Sequence, residues 1–246
     1  MGIILGMIIL GLIGGWLVNY LADVLPETRA IGQPVCWNCH SILSWRDYFL
    51  FHKCTTCGKS RTGRTYIIQG LIPVITVYLW LVPPAQLEFP LAFILFLYLM
   101  LIAVIDIEHR LILHMTSIAG AVIGLGIGIH LHGFVVTLIG GAVGFFVMLA
   151  FYYLGELFVR YMSKRRNETI DEVALGFGDV NLAGITGLLL GWPGIILGLL
   201  FAILAGGLVS LLIVIGMLIR RQYKAFSAIP YGPFMILSIL VLLLRP

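Results

Sequence analysis

Apolar stretches recur along the whole chain at 2–25, 66–82, 89–106, 111–130, 134–157, 179–191, 193–219 and 228–244. Crossing about 30 Å of hydrocarbon takes roughly 20 helical residues, and a helix is the only open backbone that satisfies its own N–H and C=O groups in lipid. The pattern therefore predicts an all-α polytopic membrane protein with about eight transmembrane helices, of which 179–191 is too short to span comfortably. Only 11% of residues are charged and 61% are hydrophobic, far from a water-soluble domain, where about a quarter are charged. The first stretch has neither a basic preceding region nor a small-residue cleavage site before Pro26, so it is expected to stay as a helix and not be removed as a signal. Glycines at spacings of four, Gly11 with Gly15 and Gly120, Gly124 with Gly128, suit close helix packing in lipid.

The cations follow the same partition. Arg29, Arg46, Lys53, Lys59, Arg61 and Arg64 lie between the first two stretches and Arg110 follows the third. Arg160, Lys164, Arg165 and Arg166 follow the fifth, and Arg220, Arg221 and Lys224 follow the seventh. The alternate connections 83–88, 132–133 and 191–193 hold no Lys or Arg. The positive-inside rule predicts that the basic connections are cytoplasmic and the N-terminus outside. Topology thus accounts for the net charge of +4, and nucleic acid is not needed as a partner; the lipid bilayer is.

All four cysteines fall in the polar segment 26–65, as "CWNC" (Cys36, Cys39) and "CTTC" (Cys54, Cys57). Two CxxC turns separated by 14 residues form the ligand pattern of a tetrahedral four-thiolate zinc site. Two disulfides or free thiols are the alternatives, and a reducing cytoplasm argues against the former. A segment this small cannot hold a fold by an apolar core alone. Four thiolates leave no open position, so the zinc is expected to be structural, with His40 and His52 as bystanders. The expected organisation is a first helix over 1–25, a cytoplasmic zinc domain over 26–65 and a multi-helix membrane domain over 66–246.

Two acids stand out against this apolar background. Asp106 ends the third stretch and Asp179 opens the sixth, so the predicted topology puts both near the cytoplasmic face. Ionisable groups in membrane segments are costly, which makes them functional candidates. A pair of close carboxylates shares one proton; one serves as base on a water while the other donates to a scissile carbonyl. Gly176 and Gly178 flank the second acid and leave room for a peptide backbone. Helix-end solvation accounts for Glu108, His109, Arg110, His114 and Glu156, and His130 and His132 need no role.

"GFGD" at 176–179 with Asp106 upstream, the twin CxxC segment after a first apolar helix, and "IPYGPF" at 229–234 together resemble the bacterial type IV prepilin peptidases, membrane aspartic proteases of the GxGD type. The resemblance implies cleavage of the basic leader of prepilins and pseudopilins at the cytoplasmic face of the inner membrane, with Asp106 and Asp179 as the catalytic pair. Many members then methylate the new N-terminus with S-adenosylmethionine. The sequence departs from the family pattern in three places: Val24 stands for an arginine in the first helix, Gly70 for a glutamate in "YIIQG", and Asn181 for a lysine after the second aspartate. The first two bear on methyl transfer, for which Glu27 or Asp23 would have to substitute, and the third on the peptidase site. Peptidase activity is therefore expected to outlast methyltransferase activity. Two rival readings are a non-catalytic scaffold for pilus or secretion assembly and a GxGD protease with other substrates.

Overall fold

The computed structural model describes residues 2–166, 176–219 and 231–245. Among these, nine helices form: α1 Gly2–Thr28, α2 Trp45–Phe49, α3 Gly63–Leu81, α4 Phe89–His109, α5 His114–His132, α6 Phe134–Arg166, α7 Phe177–Leu190, α8 Gly194–Ile219 and α9 Gly232–Leu243. All eight apolar stretches become helices, and α2 is a single short addition inside the cysteine segment. Six of them, α1, α3, α4, α5, α6 and α8, are long and apolar enough to cross a membrane. The expectation of about eight spans is thereby refined: α7 has 14 residues and the described part of α9 has 12, about 21 and 18 Å at 1.5 Å per residue. Arg220, Arg221, Lys224 and the first two residues of "IPYGPF" lie outside the described residues.

The chain divides into two compact units, residues 1–109 and 110–245. In the first, α1 packs antiparallel to α3 through a ladder with a period of four on both helices. A Cβ at Gly11 would collide with the backbone of Pro73, and one at Gly15 would lie 3.0 Å from Gln69 Oε1. One turn on, Asn19 Nδ2 donates to Thr65 O at 3.2 Å, and the next step is Asp23 with Arg61. Residues i and i+4 share a helix face, so Gly11, Gly15, Asn19 and Asp23 form one stripe that grades from close packing to charge. Helix α1 continues past Pro26 to Thr28, so its last turns carry this charge beyond the apolar stretch.

The second unit is built around α7. It packs against α5, α6, α8 and α9, and Val180, Leu182, Ala183 and Leu189 are wholly buried. Glycines permit this: the Cβ positions of Gly140 and Gly144 on α6 are occupied by the carbonyls of Gly187 and Ala183, and that of Gly128 on α5 by the carbonyl of Leu188. Enclosure by four neighbours explains how so short an apolar helix is held.

Candidate functional site

The cysteine segment closes on itself as two equivalent turns. In the first, His40 N–H donates to Cys36 O at 2.9 Å; in the second, Gly58 N–H donates to Cys54 O at 2.8 Å. The residue after each CxxC is left-handed, with φ of 53° at His40 and 69° at Gly58, a cost that glycine avoids and His40 bears. The Cys36 and Cys57 sulfurs are 3.7 Å apart, as are those of Cys39 and Cys54, and all four lie within 4.8 Å of one another. A disulfide would need about 2.05 Å. The edge of a thiolate tetrahedron with Zn–S of 2.3 Å is about 3.8 Å, so the four cysteines are positioned for a metal ion of zinc's size.

The thiols differ in acidity. The Ser41 hydroxyl, 3.4 Å from Cys54 Sγ, draws the Cys54 thiol down to about 5, while burial pushes the Cys36 thiol up to about 11. Cys54 can therefore present a thiolate before a metal arrives, and Cys36 needs the metal to ionise. His40 turns away to Glu27 at 3.1 Å and His52 to Asp47 at 3.1 Å, so neither joins the cluster.

The metal segment rests on α1. Val35, Cys36, Leu43, Tyr48 and Cys54 form one apolar cluster with Tyr20 and Val24, which gives Val24 a packing role. Beside it lies a charged network with no counterpart in the sequence reading. Tyr48 O–H donates to Asp23 Oδ2 at 2.7 Å. Arg61 reaches the same oxygen at 3.3 Å and lies over the Tyr48 ring, 3.7 Å from its centroid. Arg64 bonds the other Asp23 oxygen and turns its Nε to Glu108 at 3.2 Å. Glu108, exposed near the end of α4 as expected, is in addition an ion-pair partner of Arg64. The partners lie 41 and 44 positions apart in the chain, and no local motif announces them.

Asp106 lies in the last turn of α4 and is 4% exposed. Arg110, with φ of 51°, ends that helix one turn later. Asp179 occupies the third position of α7, half-buried, and its Oδ2 accepts the Gly176 N–H at 3.2 Å. The two flanking glycines have different surroundings. A Cβ at Gly178 would lie 2.7 Å from Ile112 Cβ, whereas one at Gly176 would meet nothing nearer than Asp179 Oδ2 at 3.6 Å. Close packing on Ile112 therefore suffices to explain Gly178, whereas among the described residues a Cβ at Gly176 would make only ordinary contacts.

Four further residues of this unit lie where sequence reasoning gave them no functional part. His114 and Ser117 line, with Asn181, a cavity of about 330 Å³ between α5, α6 and α7. Tyr231 lines a second cavity of about 310 Å³. His132, for which no role was expected, places Nε2 3.3 Å from Leu189 O at the end of α7.

The positions that bear on methyl transfer also resolve. Gly70 is exposed with nothing near it, while Gln69 faces α1 and donates to Leu12 O at 2.9 Å. Asp23 is fully engaged by two arginines and a tyrosine, and Glu27 pairs with His40.

Residues 93–211 match the type IV leader peptidase family. A prepilin leader peptidase/N-methyltransferase of Myxococcus xanthus (strain DK1622) is 25% identical over 220 residues, covering 85% of this chain and 62% of that protein. The chain thus spans about three fifths of the length of that relative. No solved structure matches it.

Proposed function

We propose that this multi-pass membrane chain, whose residues 93–211 match the type IV leader peptidase family, is an aspartic endopeptidase that removes the leaders of type IV prepilins and pseudopilins, with Asp106 and Asp179 as its catalytic pair. The observation that carries the proposal is the contrast between the two carboxylates. Asp179 lies at a helix N-terminus and accepts a backbone N–H, while Asp106 is buried in the last turn of its helix. In the proposed roles Asp179 is the base and Asp106 the proton donor, acting as one unit.

In this mechanism Asp179 takes a proton from water as the water oxygen attacks the scissile carbonyl carbon. Asp106 gives its proton to the carbonyl oxygen. Collapse of the tetrahedral intermediate breaks the C–N bond: the proton on Asp179 passes to the leaving amine, and a diol hydroxyl returns a proton to Asp106 as the C=O re-forms. Gly176 sets no side chain against the substrate backbone, and Gly178 keeps the start of α7 against Ile112. Asn181, at the position of the family's lysine, contributes no charge. Basic residues confined to alternate connections, which places them on one side, support a cytoplasmic active site and an outside N-terminus.

Cys36, Cys39, Cys54 and Cys57 would hold a structural zinc, which supplies folding energy to the loop and no chemistry to the reaction. For S-adenosylmethionine the fit is poor. Its sulfonium calls for a nearby carboxylate, yet Gly70 has none, and Asp23, Glu27 and Glu108 are already paired with cations or His40. Among these described positions no free carboxylate faces the sulfonium, and Glu168, Asp171 and Glu172 lie outside the described residues; the proposed activity is therefore the peptidase step.

Co-expression with a candidate prepilin, with the substrate N-terminus read by mass spectrometry, tests the proposal. Wild type should remove the leader after a glycine. Asp106→Asn and Asp179→Asn should each lose activity by about 10³-fold or more, because the pair acts as a unit. Near wild-type cleavage by either variant would sink the mechanism.

A further inference from the structure

Helix α2 presents Trp45, Phe49 and the following Leu50 to the outside at 44, 39 and 55% exposure. These large apolar side chains lie on a metal-closed loop that has little core to spare. They are also not isolated. The Trp45 and Phe49 rings stack at 5.9 Å, Phe49 meets Trp16 of α1 edge-on at 5.4 Å, and Trp45 lies 5.1 Å from Tyr20 of α1. On the far side Phe51 lies 5.8 Å from Tyr66 in the second turn of α3. Four rings therefore join α1 to α2, and a separate pair, Phe51 with Tyr66, marks the start of α3.

The four rings stand at a definite level on α1. From Ile3 to Tyr20 is about 26 Å at 1.5 Å per residue, close to the thickness of the hydrocarbon core. Below that level the outward side chains of α1 are Ile13 and Leu17, half-exposed; above it come Asp23 and Glu27. On α3 the apolar run likewise starts at Tyr66, just after Arg61 and Arg64. Trp and Tyr favour this depth because their rings are apolar at one end and polar at the other. Arg46 and Lys53 flank the patch and suit anionic headgroups.

We infer that the metal-binding segment lies in the membrane interface, with Trp45, Phe49 and Leu50 of the α2 region inserted at the headgroup–acyl boundary and continuous with the aromatic rim of α1. The occupant of the patch is the bilayer because the patch extends the lipid-facing surface of a membrane-spanning helix. The opposite behaviour is expected at Trp37. Its indole donates to Ser60 O at 3.1 Å, and the Lys59 ammonium stands 5.5 Å from the ring centroid, polar company that keeps it in water. The inference rests on the span of α1 and not on the peptidase reading.

The experiment uses the full chain in vesicles, with four tryptophans changed to Phe to leave Trp45 alone, or Trp37 alone. Lipids brominated near the headgroup should quench Trp45 at least twofold and Trp37 hardly at all, with iodide giving the reverse order. Equal lipid quenching of the two overturns the inference. So does protection of Trp45 from both quenchers, which would assign the patch to a protein partner. Retained metal certifies each variant. Should these fold poorly, the native sequence labelled with 5-fluorotryptophan gives the same comparison. Its Trp45 resonance, assigned by Trp45→Phe, should broaden with acyl-chain nitroxides and not with a soluble gadolinium chelate; the opposite pattern refutes the placement.

Discussion

Asp23→Asn should be among the most destabilising single changes in residues 1–109. The side chains of Asp23, Arg61 and Arg64 are only 7, 6 and 16% exposed, and with Glu108 they form a cluster of two anions and two cations, neutral in sum. Asparagine keeps the shape but leaves one buried positive charge uncompensated. Two charge-assisted hydrogen bonds at about 1.5–3 kcal/mol each and the usual loss on breaking a buried pair, about 3–5 kcal/mol, agree on a cost of about 3–5 kcal/mol. Charge balance makes a sharper prediction. Asp23→Asn combined with Arg61→Met returns the cluster to neutrality with Arg64 and Glu108 still paired, so the double variant should be more stable than Asp23→Asn alone by about 1–3 kcal/mol, the coupling typical of residues in one network. Reversible SDS titration in mixed micelles, followed by far-UV circular dichroism, measures both. A loss below about 1 kcal/mol for Asp23→Asn, or a double variant no better than the single one, would refute the reasoning.

Replacing Cys54 with Ser should release the metal and unfold the segment between α1 and α3 while the membrane helices persist, since structural zinc contributes on the order of 10 kcal/mol to such folds; metal analysis with limited proteolysis checks it. Gly178→Ala should cost about 1–3 kcal/mol through its contact with Ile112, the usual cost of overpacking, and Gly176→Ala should leave stability within about 0.5 kcal/mol, as read by the same SDS titration. Intact-mass measurement of a processed substrate should show an unmethylated N-terminus; an increment of about 14 Da, one methyl group, would show that some carboxylate does serve the sulfonium.

Much of this protein was legible in its sequence because the controlling signals are local. An apolar run of about 20 residues becomes a helix wherever it lies, and all eight runs did so. CxxC brings two sulfurs to one side of a turn through its own backbone bonds, so the four-cysteine cluster needed only the two turns to meet. Asp106 and Asp179 were conspicuous because charge is rare in such a chain, and their positions near helix ends followed from the boundaries of the apolar runs. The glycine ladder of α1 was likewise visible as a spacing of four.

What escaped was everything set by partners distant in the chain. Nothing near Asp23 reports that Arg61 and Arg64 will enclose it, or that Glu108 will complete the balance, because a buried ion cluster depends on which helix faces come together. Rotation about one helix axis separates Gln69, turned to α1, from Gly70, turned away, although they are neighbours in "YIIQG". The same geometry divides the glycines of "GFGD": both are plain in sequence, but only packing puts Ile112 against Gly178 and not against Gly176. The sequence by itself determined the helices, the four-cysteine cluster and the two conspicuous carboxylates, through backbone satisfaction in lipid and the short reach of a turn. Tertiary structure alone decided which charges are paired, which glycines are filled and which aromatic rings form a rim, because each depends on faces meeting across tens of residues.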